Sequence, residues 1–249
     1  RKAFITYTTA GLPDMETTKK IMFAQQEAGI DVMELGIPFS DPVADGPVIQ
    51  AASYEAIQKG ATLTKIFTLM KEVRKEGLTT PVVFMMYYNT VYHYGLEEFV
   101  EMCADCGVDG LIIPDLPYEE QKEINAVLAE NEAAPILIQL VSPVSKQRIP
   151  MIVNNARGFV YCVSQMGVTG NGANFHKQIR EYLLEVKKNS PVPVMMGFGI
   201  RTAGDVEPLE DIIDGAIVGS HFITLMKENN YDENVIKEYI SSFKKEMNE

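Results

Sequence analysis

Cysteine is scarce in this chain: only Cys103, Cys106 and Cys162 occur in 249 residues. Their number and irregular spacing exclude a disulfide framework and point to a reducing compartment, so a cytoplasmic setting is expected. Basic residues are outnumbered, 22 against 34 acidic, which leaves a formal charge of −12 with no cationic run longer than Lys187-Lys188 or Lys244-Lys245. A surface for nucleic acid or anionic membrane is therefore not expected. Apolar runs stop short of the roughly 18 residues of a membrane span, and no signal-like apolar region opens the sequence. Nor does any stretch read as a linker. With 46% hydrophobic residues, the chain can bury a full core, as one large α/β domain or as two smaller ones.

What is present is most informative between Val32 and Pro47, where Glu34 interrupts an apolar strand and a loop carrying Asp41 and Asp45 follows. A lone carboxylate on a buried strand is costly. It finds a partner, raises its pKa, or is there because chemistry requires it, so Glu34 is a candidate for proton transfer. Pairing with a buried base, or a wet strand end, is the structural alternative. Three prolines and two glycines between Gly36 and Pro47 restrict the loop, so Asp41 and Asp45 are expected to be held in place.

Short β-branched or apolar runs recur at 4–9, 32–36, 82–86, 110–114, 136–141, 159–164, 192–198 and 215–219, and read as strands. Between them apolar residues fall at helical spacing, as with Ile21, Ala24 and Ala28, or Ile66, Leu69, Met70 and Val73, and glycines such as Gly29, Gly77 and Gly107 stop the segments. Eight apolar strands alternating with helices predict an α/β fold, a closed (β/α)8 TIM barrel, with an open doubly wound sheet as the alternative. Extra helical turns are expected after strand two, over 50–58, and after strand eight, over 221–228. A long loop is expected over 167–174. In a barrel these additions fall at the C-terminal face, where barrel enzymes place their chemistry.

Three glycine-bearing turns follow the last strands: 167–172, Gly197-Phe198-Gly199, and Gly219-Ser220 at the start of a short helix. Glycines let backbone N–H groups approach an anion, and a helix start adds a positive dipole end, so together they predict a phosphate cradle. Ordinary strand-to-helix turns are the alternative.

The segments Glu34-Leu35-Gly36-Ile37-Pro38-Phe39-Ser40-Asp41-Pro42-Val43-Ala44-Asp45-Gly46-Pro47, Gly167-Val168-Thr169-Gly170 and Gly197-Phe198-Gly199-Ile200 resemble the α subunit of tryptophan synthase. So do Tyr7-Thr8-Thr9-Ala10-Gly11, Tyr88-Asn89, Gly107-Val108-Asp109-Gly110, Pro114-Asp115-Leu116-Pro117 and Ile217-Val218-Gly219-Ser220, and the match runs the length of the chain. The resemblance implies cleavage of indole-3-glycerol phosphate to indole and glyceraldehyde 3-phosphate. It implies indole transfer to a β subunit, in an α2β2 tetramer, where pyridoxal phosphate held by that partner supports condensation with serine; no cofactor is implied in this chain. By similarity Glu34 is the general acid/base and Asp45 accepts the indole N–H. Tyr161 lines the indole pocket, and Thr169 closes over the substrate. Gly170, Gly199, Gly219 and Ser220 bind phosphate, while Tyr7 and Ile49 are expected beside the ring from their strand-end and loop positions. Asp41 reads better as a loop acid capping backbone N–H groups.

The sequence also departs from the family. Its first strand starts by Phe4, so residues 1–249 are expected to form a single barrel domain with the usual N-terminal plug helix missing or trimmed. Gln165, Met166 and Gly172 depart from the usual closing loop, and His221 follows the phosphate serine on a surface helix position. Cys103-Ala104-Asp105-Cys106 has C-x-x-C spacing, yet it shares a helical face with Phe99 and reads as core, and neither His93 nor His176 has companion ligands for a metal. Two other functions stay open: an interaction subunit that chiefly activates a partner, and an isomerase or epimerase barrel for another sugar phosphate.

Overall fold

The computed structural model describes residues 1–163, 173–197 and 199–249. In chain order its elements are β1 (Ala3–Thr9), α1 (Met15–Glu27), β2 (Val32–Gly36), α2 (Pro47–Gln58), α3 (Leu63–Lys75), β3 (Val82–Met85), α4 (Tyr88–Tyr94), α5 (Leu96–Asp105), β4 (Gly110–Ile112) and α6 (Lys122–Ala129). Then follow β5 (Ile136–Leu137), β6 (Gln139–Val141), α7 (Ile149–Val153), β7 (Val160–Val163), α8 (Ala173–Asn189), β8 (Val194–Gly197), β9 (Gly215–Val218), α9 (Ser220–Glu228) and α10 (Glu233–Asn248). Helix starts are set by local chemistry: Asp14 accepts from the Thr17 N–H at 2.7 Å ahead of α1, and Asp232 accepts from the Asn234 N–H at 2.8 Å ahead of α10. Gly29, Gly77 and Gly107 take positive φ just past α1, α3 and α5, where a left-handed residue ends a helix.

All strand pairs are parallel, and the order β5-β4-β3-β2-β1-β9-β8-β7-β6 follows the chain round. The two ends of the sheet, β5 and β6, belong to one segment interrupted only at Ile138, which brings the sheet round into the expected (β/α)8 barrel and excludes the open doubly wound alternative. The sequence predicts one unbroken strand over 136–141. Instead the segment divides its pairing: Ile136 and Leu137 pair with β4, while Gln139, Leu140 and Val141 pair with β7. The added helix after β2 is present as α2, longer than expected because Pro47 suits a first helical turn, and α9 is the added helix after β9. A third added helix, α4 after β3, is not anticipated from sequence. The expected 167–174 loop lies mostly outside the described residues, but Ala173 already opens α8.

Side chains alternate across each strand. Ile5, Val83, Ile112, Ile138, Tyr161, Met195 and Ile217 form the cluster inside the barrel, while Phe4, Met33, Leu35 and Phe84 join the larger layer between sheet and helices. In that layer Phe4 stacks on Phe243 of α10 with ring centroids 4.1 Å apart, so α10 covers β1 from outside. Cys103 and Cys106 are buried and free, and Cys103 sits with Phe99 in the core as expected. At the N-terminal end of the barrel one device recurs. Asp31, Asp109 and Asp214, each at the entry to a strand, accept the N–H of Phe4, Val82 and Val194 on the neighbouring strand at 2.8, 2.7 and 2.7 Å. Arg74 and Lys187 reach the latter two carboxylates from the helix layer. These bonds hold the strand starts in register.

Candidate active site

The strand order places β8, β9, β1 and β2 side by side, so their C-terminal ends present Gly199, Gly219-Ser220, Tyr7 and Glu34 along one rim. Tyr7 is the register partner of Glu34 across the β1–β2 pair. Glu34 follows Val32, which packs on the inner cluster, and therefore faces the barrel interior. Its side chain is 1% exposed, and neither carboxylate oxygen has a hydrogen-bond partner among the described residues. The alternative of a buried base or a wet strand end is thus not met. Burial, with the charge of Asp45 adding to it, pushes the Glu34 carboxyl up to about 8, so at neutral pH it holds its proton.

Asp45 stands in the loop leading to α2 and is half-buried. Its Oδ2 accepts from the Tyr87 hydroxyl at 2.9 Å, and the same hydroxyl accepts the Ala44 N–H at 3.0 Å. Burial raises the Asp45 carboxyl while the Tyr87 bond opposes the shift. Tyr87 is the site residue that sequence reasoning missed. It adjoins the Tyr88-Asn89 motif directly after β3, and an aromatic hydroxyl at a strand end was the available signal. Asp41 is exposed, and among the described residues its carboxylate accepts from the neighbouring Ser40 hydroxyl and from no backbone N–H.

Two tyrosines close over the acids, each made possible by a missing side chain opposite. A Cβ on Gly36 would lie 1.9 Å from the Tyr7 hydroxyl, and one on Gly197 would lie 2.6 Å from the Tyr161 ring, so glycine is required at both places. Burial raises the Tyr161 phenol well above its ordinary value, with Glu34, Asp45 and Tyr7 contributing. Burial and Asp45 raise that of Tyr7, with a smaller contribution from Glu34. The four groups therefore share one low-dielectric space. On the other side of Tyr7, a Cβ on Gly219 would sit 3.6 Å from the Tyr7 Cβ and 3.7 Å from Ile49 Cδ1, which brings Tyr7, Ile49 and the start of α9 together. Ser220 is exposed at the first turn of that helix. Gly199 has a φ of +79° and would have nothing among the described residues within 4 Å of an added Cβ, so its backbone is approachable from them. His221 turns to Tyr239 of α10, with ring centroids 5.7 Å apart, in keeping with a helix-surface position. Thr169 and Gly170, with Gln165, Met166, Gly172 and the 167–170 motif, lie outside the described residues, as does Phe198.

A cavity of about 520 Å³ reaches the site from one side. Asp45, Met85, Ile113 and Val163 line it, and it continues along Ile138 to Gln139. Glu34, Gly199 and Gly219 are not among its described walls. Tyr7 and Tyr161, both under a tenth exposed, pack against Gly36 and Gly197. No cluster of three or more His, Cys, Asp or Glu suited to a metal occurs among the described residues, and no helix of the described residues is long and apolar enough to cross a membrane.

The arrangement offers a protonated acid, a second acid oriented by a phenol, an apolar recess, an approachable backbone turn at Gly199 and a helix start at Ser220. Comparison with known proteins agrees with it. The chain is 75% identical over 248 residues to the tryptophan synthase alpha chain of Lachnospira eligens, an alignment that covers 100% of this chain and 94% of the relative. It is 46% identical to that of a Thermoanaerobacter species, over 98% and 93% of the two chains. Among solved structures, tryptophan synthase subunit alpha from Legionella pneumophila superposes with a TM-score of 0.88 at 32% identity, covering 99% of this chain and 93% of that one. The family model described as tryptophan synthase alpha chain matches residues 1–249; the chain belongs to the tryptophan synthase alpha chain family.

Proposed function

We propose that Glu34 and Asp45 carry out the family's lyase reaction, the retro-aldol cleavage of indole-3-glycerol phosphate into indole and glyceraldehyde 3-phosphate. The observation that carries this assignment is the unpaired, buried Glu34 carboxyl, which holds a proton at neutral pH beside a second acid. In the cleavage, Glu34 gives its proton to the indole C3, and the ring nitrogen becomes cationic. Asp45 accepts the ring N–H and stabilises that cation, with Tyr87 holding the receiving carboxylate in place. Glu34, now a carboxylate, takes the proton of the hydroxyl on the adjacent glycerol carbon. The carbon–carbon bond breaks as the aldehyde forms, and the electron pair returns through C3 to the ring nitrogen. Glu34 ends protonated, so one group serves as acid and then as base. A carboxyl near 8 suits both directions of transfer.

Tyr7, Tyr161 and Ile49 are assigned to the walls of the indole subsite, and backbone N–H groups of Gly170, Gly199, Gly219 and Ser220 to the phosphate, with Thr169 closing over the bound substrate. Exclusion of water by the two tyrosines strengthens both carboxylate interactions. An isomerase or epimerase acting on another sugar phosphate has no use for the Glu34 and Asp45 pair in this setting. The deciding assay is indole release by purified protein: turnover lost in Glu34→Gln is expected, and turnover surviving that change sinks the assignment.

The partner is a β subunit carrying pyridoxal phosphate, in an α2β2 assembly and a cytoplasmic setting. Val43, 83% exposed, lies beside Asp45 on the same cavity wall, and an exposed apolar residue at the mouth suits a protein contact. Co-elution with a β subunit tests the assembly, and a strictly monomeric profile in its presence argues against it.

A further inference from the structure

Beyond Leu111 and Ile138, whose backbone groups still bond at 2.8 Å, β4 stops and the fifth segment pairs only with β7. The gap so formed lets the cavity that starts at Asp45 pass from the barrel interior, represented by Ile138, to the outer layer, represented by Leu137 and Ile152. There it meets a second cavity of about 570 Å³ lying over the outside of the same segment. Each volume falls within the roughly 300–1,000 Å³ usual for small-molecule sites. Leu137, Gln139 and Ile152 line both.

Gln139 marks this junction chemically. It is 8% exposed, and its Oε1 has no hydrogen-bond partner among the described residues. The orientation of its amide is dictated by its neighbours. The Leu116 carbonyl can only accept, so Gln121 turns its Nε2 toward it at 3.3 Å. Gln121 Oε1 then faces Gln139, which must offer Nε2, at 2.9 Å. Flipping either amide would set two acceptors against each other, so the free atom of Gln139 is an oxygen. A buried, unmatched acceptor between Leu137 and Ile152, with Arg148, Arg157 and Glu132 farther along the two cavities, favours a ligand with one N–H or O–H donor on an apolar body.

We propose that this lateral pocket is a second binding subsite, for a neutral, flat heteroaromatic molecule that donates one N–H to Gln139 Oε1. Indole has this chemistry, and its choice as occupant rests on the lyase reading. The pocket is continuous with the cavity that Asp45 lines, so it holds released product clear of the reacting groups.

The test is a titration of the full chain with 5-fluoroindole, followed by fluorine NMR. Two bound resonances are expected, one of them weakened about tenfold by Gln139→Leu, the cost of one neutral hydrogen bond, and the other responding to Asp45→Asn. A single bound resonance, or two that Gln139→Leu leaves unchanged, overturns the subsite. Should Gln139→Leu fold poorly because Gln121 loses its donor, crystals of the unaltered chain soaked in 5-bromoindole decide the matter. Bromine signal beside Gln139 supports the proposal, and solvent alone there refutes it. Binding needs no turnover, so two resonances without cleavage would fell the lyase reading and leave the subsite standing, and cleavage with one resonance would do the reverse.

Discussion

Glu34→Gln should make the protein more stable as it removes its activity, and the gain should grow with pH. In the unfolded chain the Glu34 carboxyl titrates near 4.5, whereas in the folded protein it does so near 8. The folded state therefore holds a proton that the unfolded state has lost throughout this window. Stability falls as pH rises across it, by about 1.4 kcal/mol per unit at full slope. The penalty is under about 1 kcal/mol at pH 5 and about 4 kcal/mol at pH 8. A glutamine matches the neutral acid in shape and does not titrate. Asp45 remains in both proteins, and the phenols of Tyr7, Tyr87 and Tyr161, all raised by burial, stay neutral over the range. Urea unfolding at pH 5, 6, 7 and 8 and constant ionic strength reads the difference. The variant should gain about 3 kcal/mol on the parent between the two ends, whatever constant offset the amide brings. Parallel stability curves would refute the reasoning, because they would mean that Glu34 is ionised with a partner in the folded state.

Three further outcomes can be checked. Tyr87→Phe removes the donor that favours the ionised form of Asp45, so the acid limb of kcat/KM should move to higher pH and the loss should deepen as pH falls; an unmoved pH profile would count against this role. Gly36→Ala drives a methyl into the Tyr7 hydroxyl, and thermal unfolding should report a loss of about 1–3 kcal/mol together with reduced turnover, whereas an unchanged melting temperature would contradict the packing. Ser220→Asp puts a negative charge at the start of α9, and steady-state kinetics should show KM raised about tenfold or more with the fold intact; unchanged KM would remove that turn from phosphate binding.

Much of the barrel is legible in the sequence because its strands are short apolar runs and glycines of positive φ end α1, α3 and α5, at Gly29, Gly77 and Gly107. Glu34 stands out for the same reason, since a charge in such a run has no packing explanation. The break at Ile138 is not legible. Ile136 to Val141 reads as one strand, and the loss of pairing with β4 follows from that strand ending at Ile112, a long-range condition with no local mark. Helix α4 is hidden because Tyr88 to Tyr94 spans only seven residues, too short for helical periodicity to register. Tyr87 escapes notice because its role depends on Asp45, 42 residues away. The packing of Tyr7 over Gly36 and of Tyr161 over Gly197 is likewise hidden, because each contact joins residues far apart in the chain.

The aspartates at the entrance to the strands gain a second meaning when set beside Glu34. Asp31, Asp109 and Asp214 have oxygens already engaged by amides of the adjoining strand, so a mutation there should loosen the scaffold and leave proton transfer to others. Glu34, at the opposite pole, keeps both oxygens free of such duty. One kind of functional group thus acts as mortar at one end of the cylinder and is left free for the proposed chemistry at the other, and what separates the two is whether the backbone supplies a donor.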